Sequence, residues 1–238
     1  MPRRIHVPRV FIGELTLGDR EAHHLRNVLR LKERTAVEVF DDAGNVGIGV
    51  LGQVGEARVT VIVESIQAAE VEALRLVIAS AVPKAARGDW LVEKLSELGV
   101  DTFIPLATER SVVLPEGKNK LERWQRLASE AAEQSHRRGV MRIEALTPLA
   151  KAIEAAKAAG AAWHGSTDPE AIPLRELAGG SLSGTVTLFI GPEGGWSAEE
   201  RALFDRSQVP GMSLTRTILR IETAAIAAAA ILMGLLAK

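Results

Sequence analysis

Hydrophobic and polar positions follow two different patterns along this chain. Over residues 1–70 they fall into short β-branched runs, Ala36–Phe40, Val46–Leu51 and Arg58–Ile66. The stretches between them, DDAGN and GQVGEA, are turn chemistry, and the spacing predicts a small barrel or meander. Between the first strands, Asp19–Leu31 predicts a helix with Asp19 as its cap and Leu25, Val28 and Leu29 on one face.

From residue 71 the pattern alternates between strand and helix. It predicts strand Leu74–Ala79, helix Asp89–Leu98, strand Thr102–Leu106, helix Lys118–Gln134, strand Arg142–Ala145, helix Pro148–Ala159 and strand Ala161–Trp163. Such alternation predicts an α/β domain with a mostly parallel sheet and helices on both faces. The change of pattern sets a boundary at Val71–Glu72, giving residues 1–70 as a small β domain and 71–238 as an α/β domain.

The last part of the chain has the sharpest signals. Thr185–Ile190 is an apolar, β-branched run suited to a strand buried on both faces. Gly191, Pro192, Gly194 and Gly195 follow as a loop in which two positions can take positive φ and a ligand can meet bare backbone. Ser197 and Glu200 then form a capping-box pattern ahead of Leu203 and Phe204, so the unit is strand, glycine loop, helix. A second loop, Ser213–Thr223, leads into the uncharged run Ala224–Ala237. That run is shorter than the roughly 20 residues of a membrane span and predicts a core helix.

Composition narrows the class. Of 238 residues, 47% are hydrophobic and 25% charged, as in ordinary globular proteins. Cysteine is absent, which excludes disulfides, thiolate nucleophiles and cysteine-ligated zinc, and fits a reducing cytoplasm. The opening MPRRIHVPRV carries charge without an apolar core, so export is not expected. The net charge of −1 gives no global case for nucleic acid, but its distribution does. Arg3, Arg4, Arg9, Arg20, Arg26, Arg30, Lys32 and Arg34 face only Glu14, Asp19, Glu21 and Glu33 in the same span, a basic end able to bind phosphate.

Three motifs carry less than they first promise. Gly47, Gly49 and Gly52 spell G-x-G-x-x-G, but a strand follows where a dinucleotide site needs a helix, so these glycines serve turns or a bulge. His23 and His24 are adjacent on a helix and cannot share a face, so no metal site is expected. The glycine loop lacks the Lys-Ser/Thr of a phosphate cradle, and Glu193 would repel a polyphosphate. A carboxylate beside backbone donors suits a ligand with hydroxyls, an amine or a cationic centre. The loop Ser213–Thr223 sets Arg216, Arg220 and Glu222 among Leu214, Ile218, Leu219 and Ile221 ahead of a buried helix, an arrangement that calls for a partner.

At these residues the chain resembles a family. GPEGGWSAEE and SLTRTILRIETAA, with RGDWLVEKLSELGVDTFIPLATERSVV, EAAEQSHRR and HHLRNVLRLK, are similar to blocks of the bacterial RsmE methyltransferases of the SPOUT superfamily. In that family's loop a glycine and a second arginine usually stand where this chain has Thr215 and Thr217. The resemblance implies a PUA-like RNA-binding β-barrel over residues 1–70 and a SPOUT α/β domain with a C-terminal trefoil knot over 71–238. It implies S-adenosylmethionine as cofactor and N3 of a uridine in 16S ribosomal RNA as target, uridine 1498 of the decoding region. A homodimer acting on 16S RNA within the 30S subunit, in the cytoplasm, goes with it. The alternatives are a SPOUT enzyme modifying a ribose 2′-hydroxyl and a non-catalytic RNA-binding assembly factor.

The same resemblance distributes roles. Ile190, Gly191, Pro192, Glu193, Gly194 and Gly195, with Leu214, Thr215, Ile218 and Leu219, would hold the cofactor. Glu193 could accept from the ribose or favour the sulfonium; the alternative is a solvent-facing turn residue. Arg220 would stabilise the negative charge that develops on the uracil carbonyls, and Glu222 would orient it or act as base. The alternative is an Arg220–Glu222 ion pair capping the last helix. Arg26, Arg30, Lys32, Arg87, Gln134, Arg137 and Arg138 are the expected RNA contacts, with Lys84, Glu109 and Arg110 secondary.

Overall fold

The computed structural model describes residues 2–56, 58–69, 74–115, 117–180 and 182–236. The expected boundary at Val71–Glu72 lies outside the described residues. Packing divides the chain into Met1–Val71 with Ala132–Val140, and Glu72–Ala131 with Met141–Lys238.

In the first unit, strands β1 (Arg3–His6), β2 (Gly13–Thr16), β3 (Ala36–Phe40), β4 (Val46–Val54) and β5 (Val59–Gln67) form one sheet in the order β1-β3-β4-β5-β2. β1 runs parallel to β3 and the other neighbours are antiparallel. Period-two alternation sends Val59, Val61 and Val63 into a core with Ile5, Leu15, Leu25, Val37, Val39 and Leu51, while Ile62 and Glu64 face outward. Asp41 makes the DDAGN turn: its carboxylate accepts from the N–H groups of Val10, Ala43 and Asn45 and from the Asn45 amide. Burial works against the charged form, but these donors outweigh it and keep the Asp41 carboxyl below its ordinary value.

The helix expected over Asp19–Leu31 is shorter and changes register. Helix α1 (Asp19–His23) runs into a π-helical turn, His24–Val28, and Arg30 at φ 51° ends it. Gly18, not Asp19, is the N-cap, and it offers no side chain to the helix. The wider turn rotates Val28 off the buried face, where it is 59% exposed, and brings Leu29 onto the core beside Leu25. Gly47, Gly49 and Gly52 lie within β4; a Cβ on Gly49 would collide with the Ile62 carbonyl of β5, at a point where the ladder shifts register. Segment Ala132–Val140 completes this unit: Ala132 packs with Phe40 and Val46, and Glu133 accepts from the His6 N–H at 3.3 Å.

The second unit is built on β6 (Leu74–Ser80), β7 (Thr102–Ala107), β8 (Arg142–Ile143), β9 (Thr147–Pro148), β10 (Gly160–Gly165), β11 (Ile172–Pro173), β12 (Gly184–Ile190) and β13 (Gly211–Ser213). The order is β11-β13-β10-β12-β6-β7-β8, with β9 also on β7, and these pairings are all parallel. The helices are α2 (Arg87–Glu97), α3 (Lys118–Gln134), α4 (Leu149–Ala159), α5 (Leu174–Leu177), α6 (Ala198–Arg206) and α7 (Ile221–Leu236). β9, β11, β13 and α5 span two to four residues, too few for periodicity to reveal. β12 is central, and its buried Val186, Leu188, Phe189 and Ile190 match a strand covered on both faces.

α7 starts at Ile221, three residues before the alanine run expected to open it. It packs on β6, β12, α2 and α5, burying Ala225, Ala228, Ala229 and Leu232. Alanine on that face lets backbone approach backbone closely. α2 is tied to α3 through Asp89, whose carboxylate accepts from Lys120 Nζ at 3.0 Å, Trp124 Nε1 at 2.8 Å and Arg123 Nε at 2.9 Å. No helix among the described residues is long and apolar enough to cross a membrane.

Candidate active site

In a parallel sheet of this kind, ligands sit beyond the carboxyl ends of the strands. β12 ends at Ile190, whose carbonyl accepts from the Ala81 N–H at 2.9 Å, joining the loop that follows β6 to the glycine loop. Trp196 is buried; its indole N–H donates to the Gly165 carbonyl at the end of β10 (2.9 Å), and its ring lies 3.0 Å from where a Cβ of Gly191 would stand. Gly191 is therefore glycine for packing. Pro192 accepts from the Gly195 N–H at 2.8 Å, closing a tight turn. Gly195 takes φ 67° with open space where a Cβ would point, so bare backbone faces outward there. Of the loop positions read as able to take positive φ, Gly195 adopts it.

The loop is braced from both sides. The capping box forms: the Ser197 side chain accepts from the Glu200 N–H at 3.2 Å and Glu200 Oε2 from the Ser197 N–H at 2.9 Å. Glu200 Oε1 also accepts from the Glu109 N–H at 2.9 Å, and Arg110 donates to the Gly194 carbonyl at 2.7 Å. Arg110, a secondary RNA candidate in the sequence, thus holds the glycine loop. Below it, the ring of His164 stacks on Phe204 at 4.2 Å and meets Trp196 edge-on. Burial pulls the His164 pKa below its ordinary value, so it serves as a neutral packing ring. Glu193 is exposed.

β13 lies on the far side of β10 from β12, so the second loop leaves the same sheet edge roughly 10 Å from the first, given two strand spacings. Within it the Thr215 hydroxyl donates to the Thr217 carbonyl at 2.8 Å and accepts from the Thr217 N–H at 3.3 Å. The two threonines therefore close the loop on themselves. Leu214 and Leu219 are half-buried, and Ile218 is 84% exposed, an apolar side chain held out at the rim. Arg220 is exposed.

Glu222 behaves differently from the alternative in which it pairs with Arg220. It is buried in the first turn of α7, and Arg87 Nη1 donates to its Oε1 at 3.2 Å. Its Oε2 is buried without a hydrogen-bond partner among the described residues. Arg87 and Glu222 stand 135 positions apart, and the sequence carries no signal that would join them.

The basic residues are placed unevenly. In the first unit Arg30 and Lys32 are exposed, but Arg26 Nη1 donates to the carbonyls of Gly55 (2.8 Å) and Glu56 (2.6 Å), which ties the π-helical turn to the hairpin between β4 and β5. Gln134 and Arg138 are exposed, and Arg138 Nη1 donates to the Ala68 carbonyl at 3.4 Å, while Arg137 is half-buried. The residues expected to hold a cofactor sit on the two loops, where Gly195 offers open backbone.

Known proteins share this architecture. A model described as an RNA methyltransferase domain matches residues 70–233, and one described as an RNA methyltransferase PUA domain matches residues 17–64. The chain is 32% identical over 240 residues to the ribosomal RNA small subunit methyltransferase E of Synechocystis, covering 96% of this chain and 75% of that one. It is 30% identical over 213 residues to the enzyme of the same name from Bacillus subtilis, covering 86% and 83%. Among solved structures, the ribosomal RNA small subunit methyltransferase E from Neisseria gonorrhoeae, bound to S-adenosyl methionine, is 26% identical with a TM-score of 0.87, covering 99% of this chain and 98% of that one.

Proposed function

Because the chain belongs to the ribosomal RNA small subunit methyltransferase E family, we propose that it transfers a methyl group from S-adenosylmethionine to N3 of one uridine of 16S ribosomal RNA. The observation that carries this reading is the likeness along 99% of the chain to an enzyme of that name solved with S-adenosyl methionine bound. The loops that would hold the cofactor are Ile190–Gly195, numbered 190–195, and the stretch from Leu214 to Leu219. Open backbone at Gly195 suits the polar edges of a nucleoside, and the apolar Leu214, Ile218 and Leu219 suit its faces. S-adenosylmethionine supplies an electrophilic methyl group on a cationic sulfur.

The residues of this chain provide the rest. The N3–H of uracil is weakly acidic, and the charge left by its proton spreads onto the flanking carbonyl oxygens. The exposed Arg220, directly ahead of α7, is the cation offered to that charge. Glu222, with one oxygen unpaired, is the acceptor offered to the proton. Holding base and donor together provides much of the remaining acceleration. Arg30 and Lys32, exposed on the first unit, are phosphate contacts, with Gln134, Arg137 and Arg138 as further RNA contacts. A C-terminal trefoil knot formed around α7 belongs to the same SPOUT reading. A homodimer on the 30S subunit in the cytoplasm completes the proposal.

The test is primer extension on 16S RNA from a strain lacking this gene, with and without complementation. N3-methyluridine cannot form its Watson–Crick hydrogen bond and stops reverse transcriptase, whereas a ribose 2′-O-methyl group lets it pass at high nucleotide concentration. A stop restored by complementation is expected; an unchanged pattern of stops removes the base-methylation reading.

A further inference from the structure

The pair Arg87–Glu222 carries an inference that rests on the methyltransferase reading above. In the sequence Arg87 groups with the RNA contacts, but its geometry points inward. Its Nη1 reaches Glu222 Oε1 at 3.2 Å while the other oxygen, Oε2, is buried and has no hydrogen-bond partner among the described residues. A buried carboxylate held by a cation on one oxygen and bare on the other is costly, and the cost disappears when a donor is brought to the bare oxygen.

The backbone that carries Arg87 is anchored on both sides. Asp89, two residues on, accepts from Lys120, Arg123 and Trp124 of α3. Gly88, between Arg87 and Asp89, is buried. Just before the helix, Ala85 takes φ 56°, a left-handed conformation in a residue that has a Cβ, which turns the chain sharply into α2. A guanidinium mounted this way delivers its N–H group to one place. That is the property wanted in a residue that orients another, and a phosphate contact on a solvated surface does not require it.

We infer that Arg87 is a positioning residue: it fixes the Glu222 carboxylate in one orientation so that Oε2 accepts the imide proton of the target uracil. In that step the N3–H bond breaks and its proton moves to Glu222 Oε2. The electron pair left on N3 forms the bond to the methyl carbon as the carbon–sulfur bond breaks, and the pair from that bond goes to sulfur, which loses its positive charge. The carboxyl then releases its proton to solvent.

The experiment measures kcat and KM on 30S subunits, together with RNA binding by fluorescence anisotropy over a range of salt, for Glu222→Gln, Arg87→Met, Arg87→Lys and the Arg87→Met/Glu222→Gln double variant. Glu222→Gln is expected to lower kcat about 100-fold, the scale of losing a general base. Arg87→Met is expected to lower kcat about tenfold, the scale of one charged hydrogen bond, with RNA affinity and its salt slope unchanged. Arg87→Lys recovers part of that loss, and the double variant is no slower than Glu222→Gln alone, because the two residues act as one unit. A raised KM with a shallower salt dependence and normal kcat for Arg87→Met makes it a phosphate contact and overturns the inference. So do multiplying losses in the double variant. If Arg87→Met alone fails to fold, the double variant, which leaves no unpaired buried charge, is compared with Glu222→Gln and decides in the same way. Wild-type turnover by Glu222→Gln removes the base assignment and this inference with it, while the methyltransferase reading stands or falls on primer extension.

Discussion

Gly191, Gly194 and Gly195 look alike in the sequence and do three different things. Gly191 makes room for the Trp196 ring, Gly194 accepts from Arg110 through its carbonyl, and Gly195 takes a left-handed turn over open space. Their substitutions should differ accordingly. Gly191→Ala forces the buried ring to move and is expected to cost about 1–3 kcal/mol, the range for overpacking. Gly195→Ala meets no neighbour and is expected to cost about 1 kcal/mol from its positive φ alone. Urea unfolding of the two variants checks both, and equal losses would mean that Trp196 is not what excludes a side chain at Gly191. Thr215 and Thr217 bond to one another, so the loop has a local scaffold. Arg220 stays exposed beside them as the candidate cation.

Helix α2 is the element on which the candidate site leans, and Asp89 is its anchor. Desolvation resists the charge on this carboxylate, but donors from Lys120, Trp124 and Arg123 outweigh it and hold its pKa below the ordinary value. A carboxyl whose pKa is depressed by folding adds stability that is present above its unfolded pKa of about 3.9 and is lost as pH falls through the lower folded value. Acid unfolding of the wild type should therefore show this loss below about pH 4, and Asp89→Asn should flatten it. At neutral pH the same variant is expected to cost about 2 kcal/mol, since three donors lose their charged acceptor. An acid profile identical to that of the wild type would show that the anchor lies elsewhere. α7 has a second side to consider: Thr223, Ala230, Gly234 and Leu235 face outward, and Trp90 of α2, the helix packed beside it, is 45% exposed.

For the whole molecule, that outward face of small and apolar residues is where the proposed homodimer would bury its surface. Ala230→Lys is expected to shift the sedimenting species from dimer to monomer, checked by analytical ultracentrifugation; an unchanged mass would move the interface elsewhere. The parts legible in the sequence were those with local causes. Period-two runs located β3, β4 and β5, and strand–helix alternation located β6, α2, β7, α3, α4 and β12. The Ser197–Glu200 pattern marked the start of α6, and the two loops of the site follow from glycines and charges within a few residues of each other. Where the cause is distant, nothing was legible. The π-helical register that turns Val28 outward, the return of Ala132–Val140 to the first unit, and the union of Arg87 with Glu222 depend on surfaces that meet after folding. By itself the sequence determined the longer strands and helices and which loops carry chemistry, because propensity and capping act over a few residues. Only the tertiary structure decided which charge faces which, because a buried carboxylate takes as its partner whichever donor folding brings within reach, however far apart the two lie along the chain.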